Sequence, residues 1–282
     1  MSSDTSQSLP NAPLTTNHLL NGALALALDA GKRVMEIYNS GDTNTQYKSD
    51  NSPLTEADLA SHHAIVAGLQ RLTPDIPALS EESAVISYET RRHWQRFWLI
   101  DPLDGTKEFL KRNGEFTVNI ALIENGTPVL GVVHAPALSL SYFAVQGGGA
   151  YRQQGDDAPV AIKVAQHNAH EPIKMVGSRS HSDERQDDLL EYLGGGEIHS
   201  MGSSLKLCMV ADGSAHLYPR LGPTMEWDTA AAHSIVLEAG GIVCNSHGEA
   251  LRYNKPDLHN PPFVVLPAAD KLLLEKIKNW SW

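Results

Sequence analysis

The segment Trp98-Leu99-Ile100-Asp101-Pro102-Leu103-Asp104-Gly105-Thr106-Lys107 carries the densest chemistry in the chain. An apolar run of the kind that forms a buried strand enters a turn holding two aspartates. Pro102 is expected to stop the strand's hydrogen-bond ladder, and Gly105 to permit a tight bend. Asp101 and Asp104 then leave the strand end close together. Carboxylates crowded in this way repel and require a proton or a cation. A hard divalent cation with oxygen ligands, such as Mg²⁺, meets that need. Read alone, the pair fits an Asx turn capping the next helix equally well.

Other acids stand elsewhere. Glu81-Glu82 follows Ile76-Pro77-Ala78-Leu79, a strand end, and by itself reads as a solvated loop. Asp228, at the start of an apolar helix, fits an N-cap or first-turn acid favoured by the helix dipole. Thr55-Glu56-Ala57-Asp58 fits a capping box with Thr55 as N-cap, a role that would suffice for Asp58. Spacing alone does not bring these segments together.

The elements that must position them can be read from periodicity. Leu19, Leu20, Ala23, Leu24, Leu28, Val34, Met35 and Tyr38 recur at helical spacing, and Asn39-Ser40-Gly41 ends that helix. After a polar loop or exposed hairpin over 43–52, a second helix places Leu59, His62, Ile65, Val66, Leu69 and Leu72 on one face. Strands follow: 97–100, then 116–123 and 129–133 about the hairpin signal Asn125-Gly126, then 138–145 before Gly147-Gly148-Gly149. Beyond a boundary near 150–170, strands at 173–176, 215–218 and 263–266 alternate with helices at 182–193, 203–211 and 228–239, and a last helix closes the chain. Alternation of this kind argues for a layered α/β domain.

Composition bounds the function. The chain has 282 residues, 41% hydrophobic and 20% charged, enough for about two domains of an ordinary globular protein. The net charge is −11, so the footprint of a nucleic-acid polymer binder is absent. Cys208 and Cys244 are too few for a disulfide framework or a zinc site, and point to a reducing cytoplasm. Residues 1–16, rich in Ser, Thr, Asn and Pro, read as a mobile extension rather than a secretory signal. No apolar run is long enough to span a membrane.

Asp101-Pro102-Leu103-Asp104-Gly105-Thr106 resembles the DPxDGT signature of the inositol monophosphatase superfamily. Trp227-Asp228-Thr229-Ala230-Ala231 followed by Glu238-Ala239-Gly240-Gly241 resembles its second signature, and Glu81-Glu82 sits upstream at the expected place. The match covers about residues 18–268. Within that superfamily, four segments are similar to the CysQ-type 3′(2′),5′-bisphosphate nucleotidases: Lys107 to Asn119, Ser178-Arg179-Ser180-His181, Gly202-Ser203-Ser204-Leu205-Lys206 and Leu217-Tyr218-Pro219-Arg220. Inositol monophosphatases usually read differently there.

The resemblance implies an α/β (α+β) layered α-β-α-β-α sandwich, with an N-terminal α+β domain over 17–160 and a C-terminal α/β domain over 161–282. It implies hydrolysis of the 3′-phosphate of adenosine 3′,5′-bisphosphate, a by-product of sulfate activation and sulfonate transfer, to AMP and phosphate. Two or three Mg²⁺ ions would be held by Glu81, Asp101, Asp104, Asp228 and the Leu103 carbonyl. Asp58 and Thr106, with Glu81, would activate the attacking water. The Gly105 and Thr106 amides would meet the phosphate, and His181, Ser203, Lys206 and Arg220 the nucleotide. Glu81, Leu103, Asp104 and Asp228 would then also border the substrate. Lithium inhibition is expected from the same likeness. Two alternatives stay open: an inositol or sugar phosphatase with the same metal site, and a non-catalytic, metal-dependent binding protein. Oligomeric state and peripheral attachment to the inner face of a membrane are not readable.

Overall fold

The computed structural model describes residues 16–41, 43–47, 53–83, 85–168, 171–179 and 185–282. His181 and nearly all of the expected N-terminal extension lie outside them. In chain order the elements are α1 (Thr16–Ser40), β1 (Gln46–Tyr47), β2 (Pro53–Leu54), α2 (Glu56–Leu72), β3 (Ala78–Ser80), α3 (Tyr88–Arg91), β4 (Arg96–Asp104), α4 (Thr106–Leu110), β5 (Thr117–Glu124), β6 (Thr127–Ala135), β7 (Leu140–Val145), β8 (Gly149–Gln154) and β9 (Val160–Ile162). They continue with β10 (Ile173–Ser178), α5 (Arg185–Leu193), β11 (Gly196–Met201), α6 (Leu205–Ala211), β12 (Tyr218–Arg220), β13 (Thr224–Met225), α7 (Glu226–Glu238), β14 (Gly241–Asn245), β15 (His259–Asn260), β16 (Phe263–Pro267) and α8 (Lys271–Lys278).

Strands β3 to β9 form one seven-stranded sheet in sequence order. Only the β3–β4 pair is parallel; the rest of the sheet is an antiparallel meander. Side chains alternate across it. Trp98, Ile100, Val118, Ile120 and Leu122 pack against Leu19, Ala23, Ala27 and Ala30 of α1 and Ile65 and Leu69 of α2. Phe97, Leu99, Ala121 and Ile123 face the other way, onto Ala230, Ala231 and Ile235 of α7 and Leu207 and Val210 of α6. A second β layer lies beyond, where β16 runs between β12 and β14, and parallel β10–β11 joins through a bridge from Met175 to Leu217. Leu189 and Leu193 of α5 and Leu273 and Ile277 of α8 cover its outer face. Five layers, α-β-α-β-α, result.

Several expectations needed correction. Pro102 does not stop the ladder: β4 runs on to Asp104. Asp101 pairs with Asn119 and Asp104 with Thr117, so β4 carries one residue more than β5 across this interval. Proline lacks the donor a regular ladder needs, and a bulge is where a strand tolerates it. The Pro102 carbonyl is used instead by the Ser61 hydroxyl at 2.7 Å. Leu28 and Leu59 are exposed rather than buried. On α2 the buried face is turned to include Asp58 and Ser61, because its first turns meet the bulge rather than apolar core. The strand expected at 215–218 sits at Tyr218–Arg220, on an edge that accommodates Pro219. Strands β11 and β14 escaped the sequence pattern; β11 reads Gly-Glu-Ile-His-Ser-Met and is largely exposed.

Candidate active site

The side-chain alternation of β4 dictates where its acids go. Phe97 and Leu99 face α7, so Asp101, in phase with them, points toward the same helix, at whose first turn Asp228 stands. The bulge then re-aims Asp104. Gly105 follows with φ +90°, a left-handed conformation that side chains resist. A Cβ there would also come within 3.3 Å of the Glu115 carbonyl and 3.4 Å of the Ser203 Cβ.

The capping box of α2 forms as expected. The Asp58 Oδ2 accepts from the Thr55 amide at 2.7 Å and the Thr55 hydroxyl at 2.6 Å. Its other oxygen, Oδ1, lies 3.4 Å from the Thr106 hydroxyl, which also reaches the Leu103 carbonyl at 3.3 Å. One carboxylate thus caps a helix and faces the turn. Asp228 is the third residue of α7, not its N-cap, and its Oδ2 accepts from the Met225 amide at 2.9 Å.

These residues meet at a cleft with about 880 Å³ of empty space, including its open mouth. Glu81, Asp104, Gly105, Thr106 and Asp228 line one side, and Ser203, Lys206 and Arg220 another. Asp58, Asp101 and Leu103 are buried behind the lining. Asp101, Asp104 and Asp228 are all held above the usual carboxylate range, in each case chiefly by burial. Glu81, Asp104 and Asp228 add repulsion at Asp101, and Asp104 adds it at Asp228. Lys206 pulls Asp104 back down. Burial pushes the Lys206 ammonium down to about 8, against the attraction of Asp104.

The donor set fits a hard cation. It consists of oxygen ligands whose mutual repulsion and burial penalty a dication would relieve. Among the described residues, no group of three or more His, Cys, Asp or Glu side chains already stands arranged around an ion position. Each aspartate turns one oxygen onto a protein donor. Asp101 takes the Leu103 amide at 3.1 Å, Asp228 takes Met225, and the Asp104 Oδ2 takes the Ser204 amide at 2.6 Å and the Ser204 hydroxyl at 2.7 Å. A carboxylate has a second oxygen to offer.

Sequence reasoning missed two neighbours. The Ser204 hydroxyl, with one proton to give, sits 2.7 Å from both Asp104 and the Asp228 carbonyl, and accepts from the Asn119 amide at 2.8 Å. A polar Asn119 inside the apolar strand Thr117–Glu124 was the available signal. Opposite, the Lys206 ammonium donates to the Ser203 carbonyl at 2.7 Å and lies 5.8 Å from the Tyr218 ring centre. Ser203 has φ +47°, and among the described residues its buried hydroxyl has no hydrogen-bond partner; nor has the buried Nε of Arg220. Unmet donors on a cleft wall are costly unless a ligand meets them.

Residues 16–280 match the model of the inositol monophosphatase family. The chain is 48% identical over 250 residues to the 3′(2′),5′-bisphosphate nucleotidase CysQ of Salmonella typhimurium, covering 88% of this chain and 99% of the relative. It is 46% identical over 249 residues to the protein of that name from Escherichia coli K12, with the same coverage. Among solved structures, CysQ from Bacteroides thetaiotaomicron, described as a bacterial member of the inositol monophosphatase family, aligns with a TM-score of 0.78 at 43% identity, covering 89% of this chain and 98% of that one. An inositol monophosphatase from Anabaena aligns at 0.73 with 23% identity over 94% of this chain and 97% of its own, a likeness of fold.

Proposed function

The chain belongs to the inositol monophosphatase family, and on that premise we propose that it is a Mg²⁺-dependent 3′(2′),5′-bisphosphate nucleotidase. Its substrate is adenosine 3′,5′-bisphosphate, and its products are AMP and phosphate. The observation that carries the reading is the cleft itself. Carboxylates from both halves of the chain face Lys206, Arg220 and an unmet serine hydroxyl across a space fit for a small polyanion.

Glu81, Asp101, Asp104, Asp228 and the Leu103 carbonyl are the groups that would hold Mg²⁺. Bound there, the metal would supply Lewis-acid neutralisation of phosphoryl charge and a more acidic water. The chain's own groups do the positioning. The Thr106 hydroxyl has one proton, which it gives to Asp58 or to the Leu103 carbonyl, so its lone pairs are left to orient a water. Asp58, anchored by the two donors of Thr55, is the base placed to take the proton. The Gly105 and Thr106 amides open α4 toward the phosphate. Lys206 and Arg220 balance the second phosphate, which a nucleoside monophosphate lacks, and the Ser203 hydroxyl takes a nucleotide oxygen.

The chain leaves the large sheet at Ile162, and we place the boundary between an N-terminal α+β half and a C-terminal α/β half just after it, two residues beyond the expected 160. The cleft then lies between domains, a common place for ligands. Cys208 and Cys244 are both unpaired and buried, which fits a reducing compartment, and we infer a cytoplasmic location. Among the described residues no helix is long and apolar enough to cross a membrane. Phosphate release in Mg²⁺ from adenosine 3′,5′-bisphosphate, inositol 1-phosphate and fructose 1,6-bisphosphate tests the reading. A kcat/KM for the nucleotide higher by about 100-fold, or about 2.7 kcal/mol, is expected. Preference for inositol or sugar phosphate would refute the nucleotide assignment.

A further inference from the structure

The loop that joins α4 to β5 is held from below by α1. Arg112 donates to the Tyr38 carbonyl at 2.6 Å, and its guanidinium lies over the Tyr38 ring at 4.4 Å. That ring packs on Phe109 and Phe116, with centroids 5.2 and 5.0 Å away. Arg112 and Gly114 both have positive φ, and the Asn113 side chain accepts from the Glu115 amide at 2.9 Å. Glu115 therefore hangs from a fixed loop.

Its carboxylate reaches across to the second β layer. The Oε2 accepts from the Gly202 amide at 2.8 Å and from the Arg179 Nε at 2.6 Å. Arg179 in turn donates through Nη2 to the Ser200 carbonyl at 2.9 Å and through its amide to Met201 at 3.3 Å. One oxygen thus gathers the ends of β10 and β11. The approach is close: a Cβ on Gly202 would stand 2.5 Å from the Glu115 carbonyl and 2.7 Å from the Glu108 Cγ. Immediately after Gly202 come Ser203, Ser204 on Asp104, and Lys206. Glu115 itself does not line the cleft.

We propose that Glu115 is a positioning residue that latches the strap Gly202–Lys206 onto the Asp104–Gly105 turn, and so sets the register of the cationic wall against the acidic one. The effect on turnover rests on the phosphatase reading; the latch itself does not. The bond to Gly202 is the working one, and the pair with Arg179, whose side chain is 42% exposed, is secondary.

The test combines amide hydrogen exchange over residues 200–206 with kinetics on adenosine 3′,5′-bisphosphate in Mg²⁺, for wild type, Glu115→Ala, Glu115→Gln and Arg179→Ala. Glu115→Ala should speed exchange of the Gly202 and Ser204 amides. It should lower kcat/KM about tenfold or more, mostly through KM, because Ser203 and Lys206 ride on the strap. Glu115→Gln keeps an oxygen for Gly202, and Arg179→Ala leaves that bond alone, so both should stay within about threefold of wild type. Unchanged exchange in Glu115→Ala overturns the latch whatever the turnover. So does equal damage in all three variants, or a fall in kcat at constant KM that tracks the melting temperature. A wild type inactive on the nucleotide would instead refute the functional reading, and exchange would still decide the latch.

Discussion

Replacing Asp104 by Asn separates what the cleft costs from what it does. The change is isosteric. The amide oxygen can take the place of Oδ2 and keep the Ser204 amide and hydroxyl, at 2.6 and 2.7 Å. The NH₂ group then points into the cleft, where a cation's ligand should be, and offers hydrogens instead of lone pairs. A bound dication is worth several kcal/mol of charge stabilisation in the transition state, so the loss of one of its carboxylate ligands should cost about 3–5 kcal/mol. At about 1.4 kcal/mol per decade, that is a loss of roughly 10²–10⁴ in turnover. Stability should move the other way. Burial holds Asp104 above the usual carboxylate range despite Lys206 and two Ser204 bonds, so its charge is net unfavourable in the metal-free fold. The Asn variant should therefore melt no lower than wild type in EDTA, and gain less from added Mg²⁺. Phosphate release and thermal melts with and without Mg²⁺ read both effects. Wild-type turnover at ordinary Mg²⁺ would refute the ligand assignment. A melting temperature that falls with the activity would refute the argument from crowded charge.

Three further outcomes are expected. Arg220→Ala should raise KM for the bisphosphate nucleotide about 10- to 100-fold, with less effect on inositol 1-phosphate; equal effects would remove Arg220 from nucleotide selection. Asp58→Asn should lower kcat at least about tenfold at little change in KM, while the Thr55 cap loses at most about 1 kcal/mol; a rise in KM with kcat intact would make Asp58 a structural cap alone. Burial pushes His134 down to about 4 and His233 to about 3, so the fold keeps both neutral while the unfolded chain protonates them below about 6.5. Stability should be full above that pH and fall as pH drops toward 4, at most about 1.4 kcal/mol per unit for each histidine. His134→Gln, which can keep the Ser141 contact of 2.9 Å, should lose part of that slope in urea titrations; an unchanged slope would contradict it.

The sequence made the acids of the cleft legible because they sit in contiguous motifs. Asp101 and Asp104 stand on either side of Pro102-Leu103, just before Gly105, and Thr55 to Asp58 is a local hydrogen-bond pattern; Glu81 and Asp228 were placed by the family resemblance. The meander from Thr117 to Val145 was equally local, with Asn125-Gly126 at φ +49° and +76° in its first turn, whereas β8 was not expected. What escaped depends on contacts between distant segments. Ser204 gains its place from Asp104, a hundred residues away. Glu115 falls within the nucleotidase-like segment Lys107 to Asn119, but nothing near it in sequence names Gly202 or Arg179 as its partner. The bulge at Pro102 is settled by β5 and by Ser61 of α2, neither of which the local pattern contains. Likewise β11 offers only Ile198 and Met201 as apolar residues, too few for a strand pattern, so its strand character comes from β10 alongside it.

The central claim is that this cleft removes one particular phosphate with the help of a divalent cation. ³¹P NMR of adenosine 3′,5′-bisphosphate incubated with the enzyme and Mg²⁺ tests it most directly. The 3′-phosphate resonance should disappear while orthophosphate and adenosine 5′-phosphate grow in equal amounts, and EDTA should stop the change. Adenosine 3′-phosphate as the product, no release at all, or undiminished release in EDTA would contradict the account.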